Sequence, residues 1–165
     1  MLLEKSKVSL WDLRETDLFA DLSDWALAKI IRMCRSDVFA PGDVIFGEGT
    51  EAADVHILLE GQVVLEIQVN AVRQRFTTTV DTMSKGCIFA WSALVAPRVL
   101  TASARCTQPA RVALIDGNDL LGLFDEFPQI GYVAMRNLSH IISSRLIAMR
   151  LGLQREIRQL LLRNW

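Results

Sequence analysis

Histidine is nearly missing from this chain. Of its 165 residues only two are histidine, His56 and His140, and neither has a histidine neighbour at ligand spacing. A metal centre built from converging imidazoles and carboxylates is therefore not expected, which argues against a metal-dependent enzyme on a β scaffold. Cysteine is scarce too: Cys34, Cys87 and Cys106 show no C-x-x-C spacing and sit among apolar neighbours. They read as buried thiols in a reducing cytoplasm. No G-x-S-x-G elbow and no Cys/His pair supplies a nucleophile, so no catalysis is expected. No apolar run approaches the ~18 residues of a membrane span, and Met1–Lys7 lacks the apolar centre of a signal peptide. The reading is thus a cytoplasmic location with no membrane partner. Excess positive charge is also absent. The net charge of −1 gives no electrostatic footprint for nucleic acid.

What is present is apolar. Hydrophobic residues make up 51% of the chain and charged ones only 22%, more apolar surface than one core of this size needs. Some of it is expected to serve an interface, so an oligomer is favoured over a monomer. The length fits one domain with a long appended element.

Along the chain, residues 10–22 read as a helical lead-in. Ser23 then caps an amphipathic helix carrying Leu27, Ile30, Ile31 and Cys34 at i, i+3, i+4, i+7, ending near Arg35. From Asp37 the period becomes two. Val38–Ala40 and Val44–Phe46 flank the turn Pro41-Gly42-Asp43. Val55, Ile57 and Leu59 alternate with His56, Leu58 and Glu60, and Val63, Leu65, Ile67 and Val69 follow beyond Gly61. Asn70–Gln74 closes a hairpin into Phe76–Met83, and Thr101–Thr107 and Arg111–Ile115 complete about eight short strands. Turn signals every 6–12 residues point to an antiparallel barrel or jelly roll. From Asp116 the pattern is helical: Asn118–Phe124, then a helix from Pro128 almost to Trp165. Leu138, Ile142, Leu146, Met149, Leu153, Ile157 and Leu160 are spaced 4, 4, 3, 4, 4, 3, a near-heptad seam through which two copies would pair. Arg145, Arg150, Arg155, Arg158 and Arg163 read as a solvated basic face of that helix.

The least ordinary stretch is Gly86–Arg105. It reads as a strand ending at Phe89, a short helical turn over Trp91–Val95, a Pro97 loop and a new strand from about Val99. Free N–H groups at a helix start suit an anion. Ala90, Ser92 and Ala93 leave room for a ligand against the backbone, and Thr101 and Ser103 offer hydroxyls. Trp91 stands out among these small residues.

With that segment in its setting, the chain resembles the cyclic-nucleotide-binding domain family, the sensor part of catabolite-activator-type regulators. The resemblance runs from Leu18 to about Met149. It rests on Phe39-Ala40-Pro41-Gly42-Asp43-Val44-Ile45-Phe46-Gly47-Glu48-Gly49, on Val55–Val63, and on the strand–helix–strand at Gly86–Arg105. In the family the short segment reads roughly Phe-Gly-Glu-Leu-Ala; the Glu accepts the ribose 2′-hydroxyl, and an Arg preceding a Thr or Ser pairs with the cyclic phosphate. Here Phe89 and Ala93 fit, Ala90 replaces the Gly, Trp91 stands in place of the Glu, and Leu100, before Thr101, in place of the Arg. Arg98, two residues earlier, could swing in, since alternate positions on an extended segment share a face.

The resemblance implies a double-stranded β-helix jelly roll, mainly β with flanking helices, followed by a long C-terminal helix. Residues 1–36 would be a helical lead-in, 37–116 the β-roll and 117–165 the C-terminal helices. The expected function is a non-catalytic regulatory sensor. Its ligand, a cyclic nucleotide or another small anionic or aromatic molecule, would sit against Phe89, Ala90, Trp91, Ser92, Ala93, Arg98, Leu100, Thr101, Ala102 and Ser103, with Met149 on the last helix. The alternative is an interaction module whose pocket Trp91 plugs. The chain would pair as a homodimer through the last helix and signal to a protein partner. Only a few residues follow Leu162, where the family's regulators carry a helix-turn-helix, so DNA binding is not expected.

Overall fold

Ser9 and Asp12 cap one another at the start of α1 (Leu10–Arg14). The Ser9 hydroxyl accepts from the Asp12 N–H at 3.1 Å, and the Asp12 carboxylate accepts from the Ser9 N–H at 2.9 Å. The computed structural model describes residues 6–71 and 74–163 of the chain. The lead-in expected over 10–22 is helical only as far as Arg14. Asp17 N–H donates to Gly86 O at 3.1 Å, so the chain leaves the helix to meet the β-region. α2 (Asp24–Ile31) starts behind the Ser23 cap and buries Ala26, Leu27 and Ile30. It ends short of Arg35, which is already paired with Leu114 in a strand.

Eight strands follow: β1 (Arg35–Phe39), β2 (Val44–Phe46), β3 (Asp54–Glu60), β4 (Val63–Ala71), β5 (Gln74–Met83), β6 (Ile88–Phe89), β7 (Ser103–Cys106) and β8 (Ala110–Asp116). They form two antiparallel four-stranded sheets in the orders β1-β8-β3-β6 and β2-β7-β4-β5. This is the jelly roll that the turn spacing and alternation predict. Val72 and Arg73, at the tip of the predicted β4–β5 hairpin, lie outside the described residues; Ala71 and Gln74 on either side are paired. The strand expected from Val99 is shorter than read. Val99 makes one bridge to Glu51, and continuous pairing begins at Ser103.

β3 is buried on both faces. Val55, Ile57 and Leu59 pack with the helices, whereas Leu58 joins Val63, Phe89, Ala104 and Val112 between the two sheets. Gly61 makes the β3–β4 turn possible. Its φ is +90°, and a Cβ there would sit 2.0 Å from Pro109 O.

α3 (Gly117–Glu126) is capped by Asp116, whose carboxylate accepts from the Asn118 and Asp119 N–H groups. α4 (Pro128–Arg163) is one 36-residue helix. Its first half is docked: Ile130, Ala134 and Leu138 are buried, and Asn137 Nδ2 donates to Leu18 O at 3.1 Å and Ala20 O at 2.8 Å. Its second half is bare. Of the seam, Leu138 is buried and Ile142 packs on the core, but Leu146, Met149, Leu153, Ile157 and Leu160 are 47–66% exposed. No helix among the described residues is long and apolar enough to cross a membrane.

Candidate functional site

The segment after Met83 is pinned from both sides. Gly86 N–H donates to Leu58 O at 2.8 Å, Ile88 N–H donates to the Asp17 carboxylate at 3.1 Å, and Ile88 and Phe89 pair with Ile57 and His56. The pairing stops at Ala90, which takes a left-handed φ of +58° and turns the chain into a four-residue 3₁₀ turn, Trp91–Leu94. The expected short helix is thus present but tighter, with no side-chain cap. Ala93 is buried under the start of α3, where a Cβ on Gly117 would come within 2.5 Å of Ala93 O. Leu100 is held against the neighbouring loop: its N–H donates to Thr50 O and its carbonyl accepts from Gly49 N–H.

These constraints bring Ala90, Trp91, Ser92, Leu100, Thr101 and Ala102 around one cavity, together with Phe46 and Leu65. The last two are inward positions of β2 and β4 that the motif alone does not point to; strand alternation is the signal that would have found them. The cavity measures about 40 Å³. That is room for a few water molecules, each needing about 10–15 Å³ of such space. Small-molecule sites run to roughly 300–1,000 Å³.

The other predicted residues go elsewhere. Phe89 is fully buried in the inter-sheet core, and Ala93 in the core beneath the helices. Ser103 accepts from the Glu48 N–H at 2.9 Å, so its hydroxyl is engaged by the loop after β2. Arg98 does not swing into the cavity. Its own φ is +59°, and its guanidinium donates to the Asn118 side chain on α3. Met149 lies in a separate groove of about 480 Å³ between β5 and α4, alongside Thr78, Asp81 and Gly152.

The charge nearest Trp91 comes from α4, and the sequence reading placed it in solvent. The Arg145 side chain is 15% exposed, its guanidinium carbon 4.4 Å from the centre of the Trp91 ring. Nη2 donates to Ile88 O and lies 3.3 Å from Met83 Sδ, while Nε is 3.6 Å from Asp81. Burial lowers the pKa of this arginine, and Asp81 and Asp17 oppose that shift. Its spacing from Leu138 and Ile141 puts it on the docked face of α4, which is the signal in the sequence.

The thiols are quiet. Cys106 is buried, Cys34 and Cys87 half-buried, and all three are free. Burial pushes Cys34 up to about 12 and Cys106 up to about 11, in both cases helped by a nearby aspartate, so both stay protonated. Among the described residues no group of three His, Cys, Asp or Glu side chains is arranged to hold a metal ion.

A β-roll interrupted by a strand–3₁₀–strand cassette and followed by a long helix places the chain in the jelly-roll class of folds with flanking helices. The sequence model of the cyclic nucleotide-binding domain matches residues 37–127. Among solved structures, a protein of Geobacter metallireducens GS-15, described as cyclic nucleotide-binding, shares 34% identity. The match covers 84% of this chain and 98% of that one, with a TM-score of 0.71. A cyclic nucleotide-binding domain from Methylobacillus flagellatus KT aligns over 89% of this chain and 81% of its own at 16% identity and a TM-score of 0.77. The catabolite activator protein of Thermus thermophilus aligns over 84% of this chain and 62% of its own at 20% identity and a TM-score of 0.68. No curated protein matches the chain significantly. The chain belongs to the cyclic nucleotide-binding domain family.

Proposed function

We propose that this chain is a cytoplasmic, non-catalytic regulatory domain whose ligand pocket is closed by its own Trp91. The observation that carries this reading is the cavity beside Trp91, about 40 Å³ in volume. Trp91 and Leu100 line it at the positions where the resemblance puts the ribose-binding Glu and the phosphate-binding Arg. Without that arginine a bound cyclic phosphate lacks a charge-assisted hydrogen bond, on the order of 1.5–3 kcal/mol. Arg98, the candidate substitute, is committed to Asn118. Regulation then runs through protein contacts rather than through a bound nucleotide.

Those contacts include a second copy of the chain. The exposed seam on α4 is continuous with its docked face, and pairing would cover it. The seam's 4, 4, 3 steps repeat every eleven residues, which suits a nearly straight, slightly right-handed parallel pair better than a heptad coil.

Isothermal calorimetry of the full chain with cyclic AMP and cyclic GMP tests the closed pocket. Binding is expected only in the high micromolar range or not at all. Tight, saturable binding by the unmodified chain would overturn the reading.

A further inference from the structure

Arg145 sits where α4 changes character. Before it, Leu138 is buried and Ile141 and Ile142 pack on the core; after it, Leu146, Ile147 and Met149 are exposed. At that junction the guanidinium stacks on Trp91, donates to Ile88 O at the start of the cassette, touches Met83 at the end of β5 and faces Asp81. One side chain of the helix therefore reaches both strands that lead into the cassette and the residue that closes it. Nη1 is buried with no hydrogen-bond partner, so beside the hydrogen bond to Ile88 O the ring face is a principal contact of the group.

We propose that Arg145 and Trp91 form an internal latch that couples the cassette to α4, fixing the direction in which the exposed half of the helix leaves the β-roll. The inference rests on the closed-pocket reading and extends it. The tryptophan fills the pocket, and the arginine transmits that filled state to the helix that would carry the dimer seam. A molecule entering the cassette would have to displace Trp91, and Arg145 would lose its stacking partner in the same step. The pocket and the helix then behave as one two-state element, which is what coupling between two sites requires.

The test is amide hydrogen exchange on the full chain and on Arg145→Gln, Trp91→Leu, the double variant and Arg145→Lys. With the latch, exchange over residues 138–150 accelerates about tenfold in each of the first two variants, while β3 keeps its protection and shows that the roll is folded. The double variant then exchanges no faster than Arg145→Gln alone, because the stacking contact that Trp91→Leu removes is already lost there. Arg145→Lys, which keeps the charge but not the planar stack, falls between. Unchanged exchange over 138–150 in Arg145→Gln, or strictly multiplicative effects in the double variant, would overturn the proposal. Calorimetry with cyclic AMP on the unmodified chain separates this failure from that of the closed pocket: tight nucleotide binding sinks the pocket reading whatever the exchange shows.

Discussion

The ring of His56 on β3 lies 5.3 Å from the ring of Phe89, its pairing partner at the end of β6. His56 is 7% exposed, and its Nδ1 lies 3.1 Å from Asp54 O. A titratable group thus supports the last strand residue before the cassette.

Burial holds the His56 imidazole below its ordinary 6.5, against the weaker pull of the Asp54 carbonyl and carboxylate. The unfolded chain accepts a proton below about pH 6.5 that the folded chain refuses, so this group removes stability as pH falls through that value. The slope reaches up to about 1.4 kcal/mol per pH unit until the folded imidazole itself titrates. Urea unfolding between pH 7.5 and 5 should show that decline, and His56→Phe should flatten it. An unchanged slope in the variant would place the acid sensitivity elsewhere.

Trp91→Glu with Leu100→Arg should bring back cyclic-nucleotide binding by more than either substitution alone, because the two groups hold opposite ends of one ligand. About tenfold or more between the double variant and the better single one is the expected margin in calorimetry. Arg145 competes for the new carboxylate, since its guanidinium already lies against that position. Adding Arg145→Gln to the double variant should therefore raise affinity further. A double variant that binds no better than the unmodified chain would show that the cavity cannot open.

The eleven-residue seam makes a positional prediction on α4. A hendecad puts Ile157 at the helix–helix contact and Glu156 beside it; a heptad continued from Leu146, Met149 and Leu153 would put Glu156 there instead. In a parallel pair, Ile157→Cys should cross-link to its own counterpart under mild oxidation, and Glu156→Cys should not. Leu153→Asp should shift the chain to monomer in sedimentation. A Leu153→Asp protein that sediments like the unmodified dimer would remove α4 from the interface.

Two glycines should respond to alanine with opposite signs. Gly61→Ala forces a side chain onto a φ of +90° and into Pro109 O, a loss of about 3 kcal/mol or more in chemical denaturation. Gly152 lies inside α4 with open space where its Cβ would go. Gly152→Ala should stabilise the chain by about 0.5–1 kcal/mol through helix propensity. Destabilisation by Gly152→Ala would mean that another surface closes on that helix face.

The strand count, the turns at Gly42 and Gly61, the break after Phe89 and the start of the long helix at Pro128 were all legible in the sequence. Each depends on local periodicity or on a turn that only certain residues can make. Chain ends of elements were less legible where a distant partner sets them, as Leu114 does for Arg35 and Gly86 for Asp17. The site divides the same way. Trp91 and Leu100 are conspicuous by position, and the cassette brings both to the cavity with Thr101. Where Ser103, Arg98 and Arg145 direct their polar atoms was decided only by the tertiary structure. Ser103 meets the Glu48 N–H, Arg98 meets Asn118, and Arg145 crosses from α4 to Trp91 and Ile88. A long polar side chain takes the partner that packing brings within about 3 Å of its tip, and that partner belongs to another part of the chain.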